Sequence, residues 1–189
     1  MILNSIIAEF QSDLITNLPD KVTHFRAFSR DFTLNKRNDG LPFLVEQTHP
    51  ERLEDYINFV IENDIKIVLL LFMTKDRTFN EEMAFAQMLV DRGVQISHFQ
   101  MGAEFWLGKY FYGRLSERKV SEQVRLHDYL TMLDEWIPEV EERFPQSKIM
   151  LLNCSHTLNE AGVQSAINKY QASGCSNLTM LTYRAVWND

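Results

Sequence analysis

The stretch "SHFQMGAEFW" (97–106) carries one acid, Glu104, directly after the small pair Gly102-Ala103 and directly before Phe105 and Trp106. A carboxyl group so placed can act as general acid, general base or nucleophile. Aromatic side chains beside it suit the C–H faces of a sugar, and they equally suit a protein interface or a local core. The run goes on through Tyr110, Phe111 and Tyr112. The plain alternative for Glu104 is a solvated acid that opens a loop.

Other polar groups sit at comparable places. Asn153, Cys154 and His156 follow the apolar run "KIMLL" (148–152), Arg26 lies late in "VTHFRAF" (22–28), and Tyr183 closes "LTMLTY" (178–183). Arg26, Trp106, Asn153, His156 and Tyr183 are therefore the candidate binding residues around Glu104. Asp31, Glu46 and Asp76 are the other acids near strand ends or the loops that follow, and none stands in a motif that pairs it with Glu104. His24 and His98 alternate with neighbours inside extended runs, which reads as core histidines rather than ligands. No H-x-x-x-H or C-x-x-C spacing occurs, so no metal and no cofactor is expected. Cys154 follows one strand and Cys175 precedes the next. A strand of about five residues spans roughly 17 Å, beyond disulfide reach, so both read as reduced thiols.

The bulk properties narrow the classes. The chain has 189 residues, 45% hydrophobic and 24% charged, with a net charge of −7. This is the composition of one globular domain over residues 1–189, long enough for a sizeable core. The acidic balance argues against non-specific nucleic-acid binding, which needs a basic face. No apolar stretch reaches the length of a membrane span. The start, "MILNSIIAEFQSDL", lacks a basic n-region and a cleavage site, so a cytoplasmic or assembly-associated location is expected.

These residues need a scaffold, and the hydrophobic pattern describes one. Leu3, Ile7, Phe10, Leu14 and Leu18 fall on one helical face. Leu53, Tyr56, Ile57, Val60 and Ile61 repeat that spacing. "IKIVLLLFM" (65–73) is apolar throughout, as a strand buried on both faces of a parallel sheet reads. Thr78 and Glu81 have capping-box spacing, opening a helix that stops near Gly93. "VQISHFQM" (94–101) is the next strand. A long helix follows, with Leu126, Leu130, Leu133, Ile137, Val140 and Phe144 in register and Pro138 expected to bend it or break it in two. A strand at 148–152, a helix from about 158 to 172 and a strand at 178–183 complete the order.

Strands alternating with helices imply an α/β fold: a parallel sheet with flanking helices and right-handed crossovers. An open doubly wound sheet and an incomplete (β/α)8, TIM-like barrel both fit. No glycine-rich fingerprint follows a strand, which disfavours the dinucleotide-binding form. In a barrel the chemistry sits at the C-terminal ends of the strands.

"HPERLEDYINFVIENDIKIVLLLFM", "GVQISHFQMGAEFWLGKYF" and "SKIMLLN" together resemble the middle of a clan of retaining glycoside hydrolases. These are (β/α)8 barrels, and the likeness is to the arabinofuranosidase, xylosidase and glucuronidase-like branches, over about strands two to six. In that clan the fourth strand ends in Gly-Asn-Glu and an aromatic, and the Glu is the general acid/base. The resemblance thus implies that role for Glu104 in Gly102-Ala103-Glu104-Phe105. Two departures stand out: the clan's Asn, which contacts the sugar, is Ala103 here, and "RAFSRDF" lacks the Pro-Gly-Gly turn of the second strand. The clan's nucleophilic Glu belongs to a seventh strand, beyond the aligned stretch.

Both retaining and inverting hydrolysis need two carboxyl groups, about 5–5.5 Å or 6.5–9.5 Å apart. The expectation is therefore a non-catalytic structural or interaction protein on a shortened hydrolase-like barrel, within an assembly. Its open sheet edge would be covered by a second copy or by a partner protein. The alternative is a carbohydrate-active protein that uses Glu104 as acid/base with a nucleophile from elsewhere.

Overall fold

The computed structural model describes residues 2–4, 24–28, 53–71, 73, 78–102, 122–154, 159–172 and 178–183. The strands are β1 (Ile2–Asn4), β2 (His24–Phe28), β3 (Lys66–Leu71), β4 (Ile96–Met101), β5 (Lys148–Cys154) and β6 (Leu178–Tyr183). The helices are α1 (Leu53–Glu62), α2 (Phe79–Asp91), α3 (Glu122–Arg143) and α4 (Asn159–Ala172). The strands form one sheet in the order β1-β2-β3-β4-β5-β6, and every neighbouring pair is parallel. Sequential parallel order with helices between strands is the winding of a (β/α) barrel. Among the described residues β1 and β6 are the sheet's edges.

One face of this sheet makes the main core. Ile67, Leu69, Leu71, Phe99, Met101, Ile149 and Leu151 pack with Tyr56, Ile57, Val60, Met83, Leu89, Leu133, Ile137 and Val140 from the helices. Burying a side chain of this size stabilises by about 1.5–3 kcal/mol. The other face presents Val68, Leu70, Gln100 and Met150, also buried but outside that cluster. β3 is apolar on both faces because both are covered, as its unbroken run implied.

In such a winding the face away from the described helices is the concave one. His24 and His98 lie on β2 and β4, with β3 between them, yet their ring centroids are 6.0 Å apart. The two strands themselves lie roughly 9–10 Å apart in a sheet, so the two imidazoles lean toward each other across β3. Contact between side chains of alternate strands is how a (β/α)8 barrel fills its interior.

A bulge sets which residues of β4 face inward. Ile67 pairs with Ile96 but Val68 pairs with His98, so Ser97 is the extra residue. Its hydroxyl donates to the Ile67 carbonyl at 3.0 Å, filling a gap in the ladder. The slip lets Ile96 and Phe99, three apart, both reach the helix side, and puts His98 and Gln100 on the concave side.

Local signals explain the helix ends. Thr78 and Glu81 form the expected capping box: Thr78 Oγ1 accepts from the Glu81 N–H, and Glu81 Oε2 accepts from the Thr78 N–H at 3.0 Å. Gly93 follows α2 with φ of 89°, the left-handed turn that ends many helices.

Four expectations need correction. Leu3 lies in β1, paired with Phe25, not in a helix from residue 3; the remainder of that stretch lies outside the described residues. Backbone pairing with β2 decides the conformation of so short an apolar segment. In α1, Phe59 is buried and Ile61 is 44% exposed, because the contact stripe is rotated toward Phe59. Of the two outcomes expected at Pro138, a bend or a break, the break does not occur: α3 runs as one helix from Glu122 to Arg143. Pro138 is exposed, while Leu133, Ile137, Val140 and Phe144 on both sides of it are buried against the sheet. Packing on either side outweighs one missing backbone hydrogen bond. The fourth correction concerns Arg26 and belongs to the site.

Candidate functional site

β4 delivers the chain to Glu104, and its C-terminal end is tightly held. Gly102 is buried and has φ of 76°, a conformation that side chains disfavour. A Cβ there would also sit 3.2 Å from Tyr129 Cε2 and 3.6 Å from Met73 Sδ. Both the backbone angle and the space require glycine. The Gly102 N–H donates to the Leu71 carbonyl at 3.1 Å, continuing the β3–β4 ladder by one step. The Tyr129 hydroxyl, from α3, donates to the Met101 carbonyl at 2.8 Å. Gln100 Nε2 donates to the Gly102 carbonyl at 3.0 Å. These three bonds fix the peptides that immediately precede Ala103 and Glu104.

Of the candidate residues, Glu104, Trp106 and His156 lie outside the described residues. Arg26, Asn153 and Tyr183 are placed by backbone register. Asn153 is next to last in β5 and pairs with Thr182, while Tyr183 ends β6 and pairs with Cys154. Both lie at the C-terminal end of the sheet on adjacent strands, one register step apart and not as partners, so the register does not place them on one face. Arg26 is not at a strand end: it is the middle residue of β2, in a row with Asn4, Val68, His98 and Lys148. β2 ends at Phe28, where the expected strand also ended, so Arg26 falls two residues short of the rim.

Gln100 and Tyr129 support the site and were not singled out from sequence. Tyr129 is fully buried and lies three residues from Leu126 and four from Leu133, so its place on the α3 stripe was open to view. Gln100 is a fully buried amide inside an otherwise apolar strand end, and its Oε1 has no hydrogen-bond partner among the described residues. Among the described residues, no group of three or more His, Cys, Asp or Glu could hold a metal ion. Among the same residues, no helix is long and apolar enough to cross a membrane.

No protein-family model matches the chain, and neither does any curated protein. Solved structures are similar to it. One is a thermostable GH51 α-L-arabinofuranosidase from Thermotoga petrophila RKU-1, at a TM-score of 0.51 and 15% identity over 77% of this chain. This chain spans 34% of that enzyme. A second is a carbohydrate esterase whose active site is described as having divergent catalytic and non-catalytic binding functions. It matches at a TM-score of 0.42 and 10% identity, over 89% of this chain and 58% of its own. At such identities the arabinofuranosidase likeness speaks to the fold alone: a parallel α/β sheet with flanking helices, consistent with part of a TIM-like fold.

Proposed function

We propose that these 189 residues form the acid/base side of a glycoside-hydrolase-like barrel and act by themselves as a non-catalytic structural or interaction scaffold within an assembly. One observation carries the reading: β4 ends at a buried, left-handed Gly102 that leads directly into Ala103-Glu104-Phe105. That is the strand end at which the resembling hydrolases keep their acid. Ala103 has no group to hydrogen-bond a sugar hydroxyl. A lone acid contributes about 10²–10⁴-fold, far below what glycoside hydrolysis needs. The apolar edge strands and the aromatic run 105–112 would meet a second copy or a partner protein.

A second reading is a carbohydrate-active protein in which Glu104 protonates the leaving group and another chain or segment supplies the nucleophile. The three hydrogen bonds that fix the end of β4 favour it, since a scaffold has little need to immobilise the approach to residue 104. One experiment separates the two. A panel of aryl glycosides is incubated with the purified chain, and its mass is followed by sedimentation. The scaffold reading expects self-association and no turnover above background. Turnover that Glu104→Gln abolishes overturns it in favour of the enzyme. Turnover that survives Glu104→Gln overturns the assignment of the site itself.

A further inference from the structure

The concave side of β4 carries two hydrogen-bond acceptors that the described residues leave open. The first is Gln100 Oε1. Gln100 is fully buried, its Nε2 donates to the Gly102 carbonyl at 3.0 Å, and its Oε1 has no partner among the described residues. The bond to Gly102 fixes which way the amide points. Turned over, it would set Oε1 against the Gly102 carbonyl, acceptor against acceptor. A primary amide has two N–H groups, so a second donor of Gln100 remains beside the open oxygen.

The second acceptor is His98 Nε2. Ser97 spends its one hydroxyl proton on the Ile67 carbonyl at 3.0 Å, so at 2.9 Å it accepts from His98 Nδ1–H. The neutral ring then keeps its proton on Nδ1 and a lone pair on Nε2. Burial, then His24 and Lys148, hold His98 below the ordinary histidine value, which favours that neutral ring.

The two groups stand in one column. His98 pairs with Val68 and Lys148, and Gln100 with Leu70 and Met150, so both occupy the concave side, two residues apart on one strand. Such positions are roughly 6.6–6.8 Å apart along the strand. One bridging water spans roughly 4.5–5.5 Å between two acceptors, and two waters span up to about 8 Å. The neighbouring side chains of that face, Val68, Leu70 and Met150, are buried and have no polar donor to offer.

We propose that the concave face holds an internal water site on β4, one or two molecules that donate to Gln100 Oε1 and to His98 Nε2. Buried water makes about three hydrogen bonds, and the two acceptors with the second Gln100 N–H supply three. The occupant is solvent and not a larger ligand because Gln100 is closed off from the surface, at 0% exposure. The site thus sets a wet concave side against the dry cluster under the helices. It does not depend on either function proposed above.

The test is a crystal structure of the whole chain at a resolution that shows ordered solvent, with NMR cross-peaks between water and the Gln100 side-chain amide in solution. The expected result is a water about 2.7–3.0 Å from Gln100 Oε1, and a cross-peak with the sign of a long-lived internal water. Gln100→Leu should lose that water, and Gln100→Glu, which keeps an oxygen in place, should retain it. If a variant does not fold, the parent crystal and its NMR decide. A dry Oε1, an Oε1 that accepts from another side chain of the protein, or a water that stays in Gln100→Leu would overturn the proposal.

Discussion

The two faces of the sheet differ in kind. On the helix side the strand residues are Ile67, Leu69, Leu71, Phe99, Met101, Ile149 and Leu151, all apolar and packed into one cluster. On the concave side, apolar Val68, Leu70 and Met150 are interleaved with Lys66, His24, His98, Gln100 and Lys148. The first face holds the fold together. The second retains polar groups where a folding argument alone would place leucine, and Gln100 Oε1 is buried there with no partner among the described residues. An unpartnered buried acceptor is destabilising, so the comparison separates residues that serve stability from residues that do not.

Adjacent substitutions in β4 give the sharpest test of this difference. Phe99 is fully buried and packs against Phe144 at 4.9 Å between ring centroids. Phe99→Ala should cost about 3–5 kcal/mol in urea unfolding. Gln100→Leu removes the bond to the Gly102 carbonyl but also removes the unpartnered oxygen, so it should change stability by about 1 kcal/mol or less. Equal losses at the two positions would break the distinction between the faces.

An intermediate effect is expected where the faces meet at the rim. Gly102→Ala forces a side chain into the left-handed region and toward Tyr129, and should destabilise by about 1–3 kcal/mol. A melting temperature equal to that of the parent chain would show that the end of β4 is less constrained than its hydrogen bonds indicate.

The smallest effect is a pH dependence confined to the concave side. His24 and His98 are held below the ordinary histidine value in the fold. The unfolded chain then binds more protons than the folded one as the pH falls below about 6.5. Stability is complete above that value and declines as the pH drops through the folded-state values. Thermal melts between about pH 7.5 and 5.5 should show this decline, and His98→Gln should flatten it. An identical pH slope in His98→Gln would assign the decline to other groups.

Much of the scaffold could be read from residue order, and the site less so. The capping box at Thr78 and Glu81, the unbroken apolar run of β3 and the stripe on α3 each have a local cause, and each appears as expected. The Ala103-Glu104 motif names a position, but the sequence places candidates at strand ends without fixing register. Arg26 shows the consequence: the expected strand, 22–28, ends at the same Phe28 as β2, and Arg26 still falls in its middle and not at its end. Gln100 was passed over because a single polar residue in a strand has no periodicity to mark it.

By itself the sequence determined the helix and strand segments from β2 to β6, though not β1, and that the strands run parallel, because hydrophobic period and alternation of elements are local properties. Only the tertiary structure decided which side of the sheet turns inward. Beyond Lys66 at its start, β3 is apolar on both faces and so carries little asymmetry to decide it. The Ser97 bulge, the contact of His24 with His98 across β3, and the continuity of α3 through Pro138 all involve contacts between residues far apart in the chain. Such contacts override local preference because packing a whole helix or strand outweighs one hydrogen bond or one residue's propensity.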